Sequence, residues 1–183
     1  MGKVIRKRQF DGLTLSLWMG LATPLYAQNS TPPSEYQVKA AFLLNFARFV
    51  EWPPAAFETP GSPFAICTLG PDPFGAGLDR IVEGETLNGR KMTVRREPRG
   101  NIPKGCQIVF IANSEKNVPG IIAALGAGVL TVGDGEGFIR EGAMVAFITE
   151  SRRVRFDVNL AAATKAGLII DARMLAVARL VRR

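Results

Sequence analysis

Residues 64–70 read FAICTLG and residues 107–112 read QIVFIA. Both runs are almost continuously apolar, rich in β-branched and aromatic residues, and too short for a buried helix, so they read as strands. A strand without polar alternation belongs in a sheet covered on both faces. The first covers 64–69 and the second 106–112, and further strands are expected at 91–96, 129–132, 143–149 and 153–158. RRVRFDVN (152–159) alternates instead, as an edge or hairpin strand does. Helical periodicity falls between these runs, near 73–83, 115–125, 160–166 and 172–181. An opening helix is expected from Ser34, a suitable N-cap, to about Glu51, where the Pro pair after Trp52 ends it. The expected fold is α/β: a single-domain layered sandwich with a mixed sheet of about five or six strands and helices on both faces. No internal repeat is visible.

The chain has 183 residues, 47% hydrophobic and 21% charged, which suits one domain with a real core. Its net charge of +7 would admit nucleic acid or an anionic membrane as partner, but much of that charge lies at the N-terminus. Lys3, Arg6, Lys7 and Arg8 precede the apolar run LTLSLWMGLATPLY and then Ala27. A basic end, an apolar stretch and a small residue have the form of a secretory signal. Residues 1–27 are therefore expected to be a signal peptide, with an uncleaved anchor as the alternative, and 28–33 a Pro/Ser/Thr-rich linker. Residues after Ala27 carry a net charge of only +4. No later segment has the length and continuity of a membrane span. The expected location is the periplasm.

The two cysteines fit that compartment. Cys67 and Cys106 lie in apolar strand-like runs, and an exported pair in an oxidising space is expected to be bridged, two buried thiols being the alternative. Zinc is disfavoured, because two distant Cys and no His do not supply its ligands. The absence of His also removes Ser-His-Asp and Cys-His nucleophile pairs. Among the acidic candidates, Asp134 and Glu136 sit in a glycine-rich turn, Asp157 lies in a strand, and Asp171 precedes a helix as an N-cap. There is no phosphate loop, dinucleotide fingerprint or other cofactor motif. The reading is of a non-enzyme without a catalytic residue, cofactor or metal.

The opening helix ends in FLLNFARFVEWPP (42–54). Asn45, Arg48, Phe49 and Trp52 share one face by their spacing, while Phe42 and Phe46 form an adjacent strip. Most of this aromatic surface is expected in the core, with Asn45 bonded to backbone inside the fold. Arg48 and Trp52 are the candidate partner-binding residues, because Trp and Arg concentrate in binding hot spots. The arginines at 152, 153, 155, 179, 182 and 183 read as solvated surface, or else as contacts to an acidic partner or anionic lipid.

EYQVKAAFLLNFARFVEWP (35–53), FAICTLGPDPFGAGL (64–78), GCQIVFIANSE (105–115) and the run 129–181, which includes FDVNLAAATKAGL, together resemble the YfiR family of periplasmic proteins. The resemblance covers 34–183 as one YfiR-like domain and places Cys67 and Cys106 where family members can carry a disulfide. A second, closely spaced pair known in the family has no counterpart here. The resemblance implies a repressor that binds the periplasmic domain of an inner-membrane diguanylate cyclase and lowers cyclic di-GMP. It also implies an outer-membrane lipoprotein that sequesters the repressor. Nucleic acid is excluded as a partner, the protein is not integral to the membrane, and a homodimer is left open. The alternative is a small-ligand module reporting to a membrane histidine kinase or other receptor.

The N-terminal reading predicts that protein purified from the cell envelope begins near Gln28. Intact mass spectrometry checks this, and a full-length chain in the cytosol would contradict it.

Overall fold

The computed structural model describes residues 33–183; the expected signal peptide and nearly all of the linker lie outside them. In chain order the elements are α1 (Glu35–Phe49), β1 (Val50–Glu51), a 3-10 turn (Pro54–Ala56), β2 (Phe64–Leu69), α2 (Ala76–Val82), β3 (Thr86–Leu87) and β4 (Arg90–Glu97). They continue as β5 (Ile108–Ile111), α3 (Val118–Leu125), β6 (Leu130–Asp134), α4 (Gly137–Arg140), β7 (Val145–Glu150) and β8 (Arg153–Asn159). The chain then forms α5 (Leu160–Lys165), β9 (Ile169–Ile170), α6 (Ala172–Val177) and β10 (Leu180–Arg182).

Eight strands form one mixed sheet in the order β10-β8-β7-β6-β5-β2-β4-β3. The central five, β7-β6-β5-β2-β4, are parallel, while β8 runs antiparallel to β7 and β3 antiparallel to β4. From β2 the chain goes first to β4 on one side and then back to β5 on the other, which is the strand order of a doubly wound sheet with its switch point between β2 and β5. A separate two-stranded pair joins β1 to β9.

The main sheet therefore has eight strands, rather than the five or six expected. The strands that sequence reading missed are only two or three residues long, too short to show a period. The last of them also corrects the expected helix over 172–181. That helix stops at Val177, where Ala178 turns extended (φ −66°, ψ 144°), and the Arg179 amide donates to Phe156 O at 2.8 Å to start β10. RRVRFDVN is a hairpin strand as read, but β10 rather than β8 is the sheet edge.

Alternation along the buried strands builds two cores. Phe64, Ile66, Ile108, Phe110, Leu130, Val132, Val145 and Phe147 face α1, α2, α5 and α6. Ala65, Cys67, Leu69, Val109, Ile111, Ala146 and Ile148 face α3 and α4. Ser34 starts α1 with a capping box, accepting from the Gln37 amide while the Gln37 side chain accepts from the Ser34 amide. Asp171 caps α6 through the Arg173 amide at 2.7 Å.

One crossover has no helix. Residues 98–107 carry the chain from β4 back to β5 over the second face as irregular backbone, with Ile102 packed into the core beneath. A Cys67–Cys106 disulfide, with Cα atoms 6.0 Å apart, ties the end of this loop to β2. Gln107 follows, buried, and its side chain accepts from the Ala65 amide at 2.8 Å and donates to Ala56 O at 2.6 Å. At the switch point the Glu115 side chain packs where a Cβ on Gly70 would stand, and Gly70 is also left-handed at φ +86°. The crevice that holds ligands in many doubly wound sheets is here filled by Glu115, ion-paired to Arg99 at 3.1 Å.

Because the disulfide spans a sequence separation of 39, replacing both cysteines by alanine frees loop entropy in the unfolded chain worth about 4 kcal/mol. For a domain of this size the melting temperature is expected to fall by roughly 10 °C, read by calorimetry. An unchanged transition would show that packing of Ile102 alone holds the loop.

Candidate binding groove at the end of the first helix

The aromatic end of α1 divides between core and rim. Phe46 is fully buried, with its ring centroid 5.8 Å from that of Phe147 and 5.0 Å from that of Phe156. Asn45 and Arg48 are exposed, and Phe49 and Trp52 are half-buried. This corrects the reading of Asn45: it lies on the outer face of α1, not bonded to backbone in the interior.

Trp52 lies beyond the helix, just after β1, and turns inward. Its ring meets Phe64 edge to face at 4.8 Å, and its Nε1–H donates to Gln107 O at 3.2 Å. Both needs of a partly buried indole, an apolar body and a hydrogen bond, are thus met. The Arg48 side chain stays 46% exposed and reaches Glu85 at 2.8 Å. Between them opens a groove of about 500 Å³, walled by Arg48, Glu51, Trp52, Phe57, Leu87 and Arg90, with Phe64 in its lining. Arg90 sits over Phe57, its guanidinium carbon 3.8 Å from the ring centroid, and donates to Ser62 O at 2.6 Å. The structure therefore brings the two candidate residues to one groove with an aromatic lining and two arginines.

Phe57, Leu87 and Arg90 were not singled out from sequence. The signal for two of them was present: Asn88–Gly89 is a favoured hairpin turn, with φ 50° and 77°, and it folds β3 onto β4 so that Leu87 and Arg90 reach the groove.

A second cluster lies at the other end of α1. Lys39 is only 3% exposed, and its ammonium sits 2.5 Å from Glu35 and 2.7 Å from Asp134, over the Tyr36 ring at 4.6 Å. The Tyr36 hydroxyl donates to Asp134 at 3.1 Å, and Thr149 donates to Glu35 at 3.0 Å. Burial pushes the Lys39 ammonium down, but the carboxylates of Asp134 and Glu35 overcome it, and the net shift is upward. The hydrogen bond from Lys39 holds the Glu35 carboxyl below its usual range against some desolvation. Asp134, read from sequence as turn chemistry, is thus an anchor for α1. Glu136 and Asp157 are ion-paired to Arg179, and the Asp171 carboxyl is held down to about 2 by hydrogen bonds from Arg173.

A family profile described as YfiR/HmsC-like matches residues 36–179, a span that begins inside α1 and reaches the cluster around Arg179. No curated protein matches the chain.

Lys39→Met should cost about 3 kcal/mol, because it leaves the nearly buried Asp134 carboxylate without its counter-charge. Replacing Lys39 and Asp134 together by apolar residues should recover part of that loss. Since the folded Lys39 pKa lies above its ordinary 10.5, its contribution is complete below that value and is lost as pH rises through the folded one. Denaturant titration of the three proteins at neutral and alkaline pH checks both the magnitude and the sign.

Proposed function

This chain belongs to the YfiR/HmsC-like family, and from that membership we propose that it is a periplasmic regulator that binds the outward-facing domain of an inner-membrane diguanylate cyclase and represses cyclic di-GMP synthesis. The family match over 36–179 is the observation that carries the reading. Other features support it. The Cys67–Cys106 bridge fits an oxidising compartment. No described helix is long and apolar enough to cross a membrane. Residues 1–27 act as the export signal and 34–183 as the working domain in this reading.

Repression needs no chemistry in the repressor. A protein that binds the inactive cyclase a hundredfold more tightly than the active one shifts that equilibrium by about 2.7 kcal/mol at saturation. The groove beside Arg48 and Trp52 is the contact we assign to this task. It sets an indole next to an arginine whose only ion pair among the described residues is an exposed one, which a partner carboxylate can replace at little cost.

The size of the groove favours a second reading. A space of about 500 Å³ with an aromatic lining and a few polar groups suits a small molecule as well as a protein side chain. In that case the chain reports a periplasmic ligand to a membrane kinase or other receptor.

Deleting the gene should raise cyclic di-GMP and surface attachment, and deleting the cyclase as well should abolish the rise. Arg48→Ala is the sharper test, since losing an exposed ion pair changes stability by no more than about 1 kcal/mol. The variant should fold normally and yet mimic the deletion. Unchanged cyclic di-GMP in the deletion strain, with the cyclase expressed, would remove the repressor reading and leave the ligand module.

A further inference from the structure

The sheet ends in an edge that the groove does not use. Cross-strand neighbours share a face, so the register decides where each side chain stands. In the β7–β8 ladder Glu150 lies opposite Arg153, Ile148 opposite Arg155 and Ala146 opposite Asp157. In the β8–β10 ladder Asp157 lies opposite Leu180 and Asn159 opposite Arg182. Arg153, Arg155, Leu180 and Arg182 therefore rise from one face, the face that α3 and α4 cover further along the sheet. All four are exposed, Leu180 by 54%.

The carboxylates on this face are already committed. Arg179 holds Glu136 at 2.8 Å, Glu150 at 2.7 Å and Asp157 at 2.5 Å. Among the described residues Arg152, Arg153, Arg155, Arg182 and Arg183 make no ion pair and no side-chain hydrogen bond. With Arg179, Arg153, Arg155 and Arg182 set four arginines against three carboxylates on this face, and Arg152 before β8 and Arg183 after β10 add two further positive charges along the edge.

The backbone at this edge is also open. The Asn159 N–H bonds Met144 O, so Phe156 and Val158 turn their backbone groups toward β10. With Leu180 opposite Asp157, it is Leu180 and Arg182 that bond β8, while the N–H and C=O groups of Val181 face away from it. We propose that the β8–β10 edge docks an acidic, extended segment of a partner protein, which adds to β10 as a further strand, whether or not that partner is the cyclase. Main-chain bonds to Val181 supply part of the affinity, and the arginines select acidic side chains. A lipid headgroup can answer the charge but not the open ladder. A second copy can answer the ladder but not the charge, because each copy brings the same positive surplus.

The probe is a fluorescent peptide of alternating Glu and Val, set against a Lys–Val peptide of equal length and read by anisotropy on the purified exported chain. The Glu–Val peptide should bind and the Lys–Val peptide should not, with affinity falling as salt is raised. Arg153→Glu with Arg155→Glu should weaken binding about tenfold. Val181→Pro removes an outward N–H while sparing the inward ladder, and should also weaken it about tenfold. A Glu–Val peptide N-methylated along its backbone should fail on the native chain, so the strand-addition claim is tested even if the Pro variant misfolds. No binding of the Glu–Val peptide, equal affinity for both peptides, or full binding of the N-methylated peptide would each overturn the proposal. So would binding to phosphatidylglycerol vesicles without peptide binding, or a dimer of the native chain that Val181→Pro dissolves.

Discussion

The docking of α1 onto the sheet is the constraint from which both ends of the molecule take their shape. Phe46 stands at its centre, buried between Phe147 and Phe156, and Phe42 adds an edge-to-face contact with Phe156 at 5.4 Å. Burying a ring of this size contributes about 1.5–3 kcal/mol, more when aromatic neighbours are placed as these are. With that midpoint fixed, a rigid helix has little freedom at either end. The N-terminal half of α1 delivers Lys39 to Asp134, its last turn delivers Arg48 to the groove, and β1 just beyond it delivers Trp52 to Gln107. Exposed Arg48 can be altered without disturbing the docking, whereas buried Lys39 cannot.

The second face meets a different constraint. A parallel crossover normally brings a helix that covers the sheet, and residues 98–107 bring none. What replaces it is a loop held by one covalent bond and one buried amide. Cys106 is joined to Cys67, and Gln107 bonds both the Ala65 amide and Ala56 O. Because the Gln107 carbonyl also receives the Trp52 indole, the loop that covers the second face helps to position the groove on the first. A structural bridge and a candidate binding surface are thus coupled through two adjacent residues.

The strands that carry the core were legible because each is long enough for its pattern to show. FAICTLG is buried at every position from Phe64 to Leu69, as a doubly covered strand should be. Edges were not legible, since β1, β3, β9 and β10 hold two or three residues each, and all but β3, which the Asn88–Gly89 turn folds onto β4, owe their existence to neighbours distant in sequence. The extension at Ala178 is such a case: helical periodicity continues on paper to residue 181, and the pull of Asp157 on Arg179 ends it. Arg48 and Trp52 were visible as residue types and spacing. Lys39 was not, because a lysine on an amphipathic helix is ordinarily solvated, and only the tertiary approach of Asp134 makes it an interior residue.

The two surfaces described here lie toward opposite ends of the sheet, and that separation limits what regulation can be. The groove draws on β3 and β4, and the basic edge on β8 and β10. From β4 to β10 the strand order counts six steps, which at the usual strand spacing amounts to about 30 Å. Two ligands that far apart do not exclude each other by contact. Under the proposed function, a sequestering protein that relieved repression would have either to overlap the surface a cyclase used or to bind one state of this domain in preference to another. The rigid connections through α1 and Gln107 give the fold few soft joints through which a second state could form. Direct competition for one surface is therefore the economical mechanism, and a second, distant surface serves better to add avidity for one partner than to switch another off.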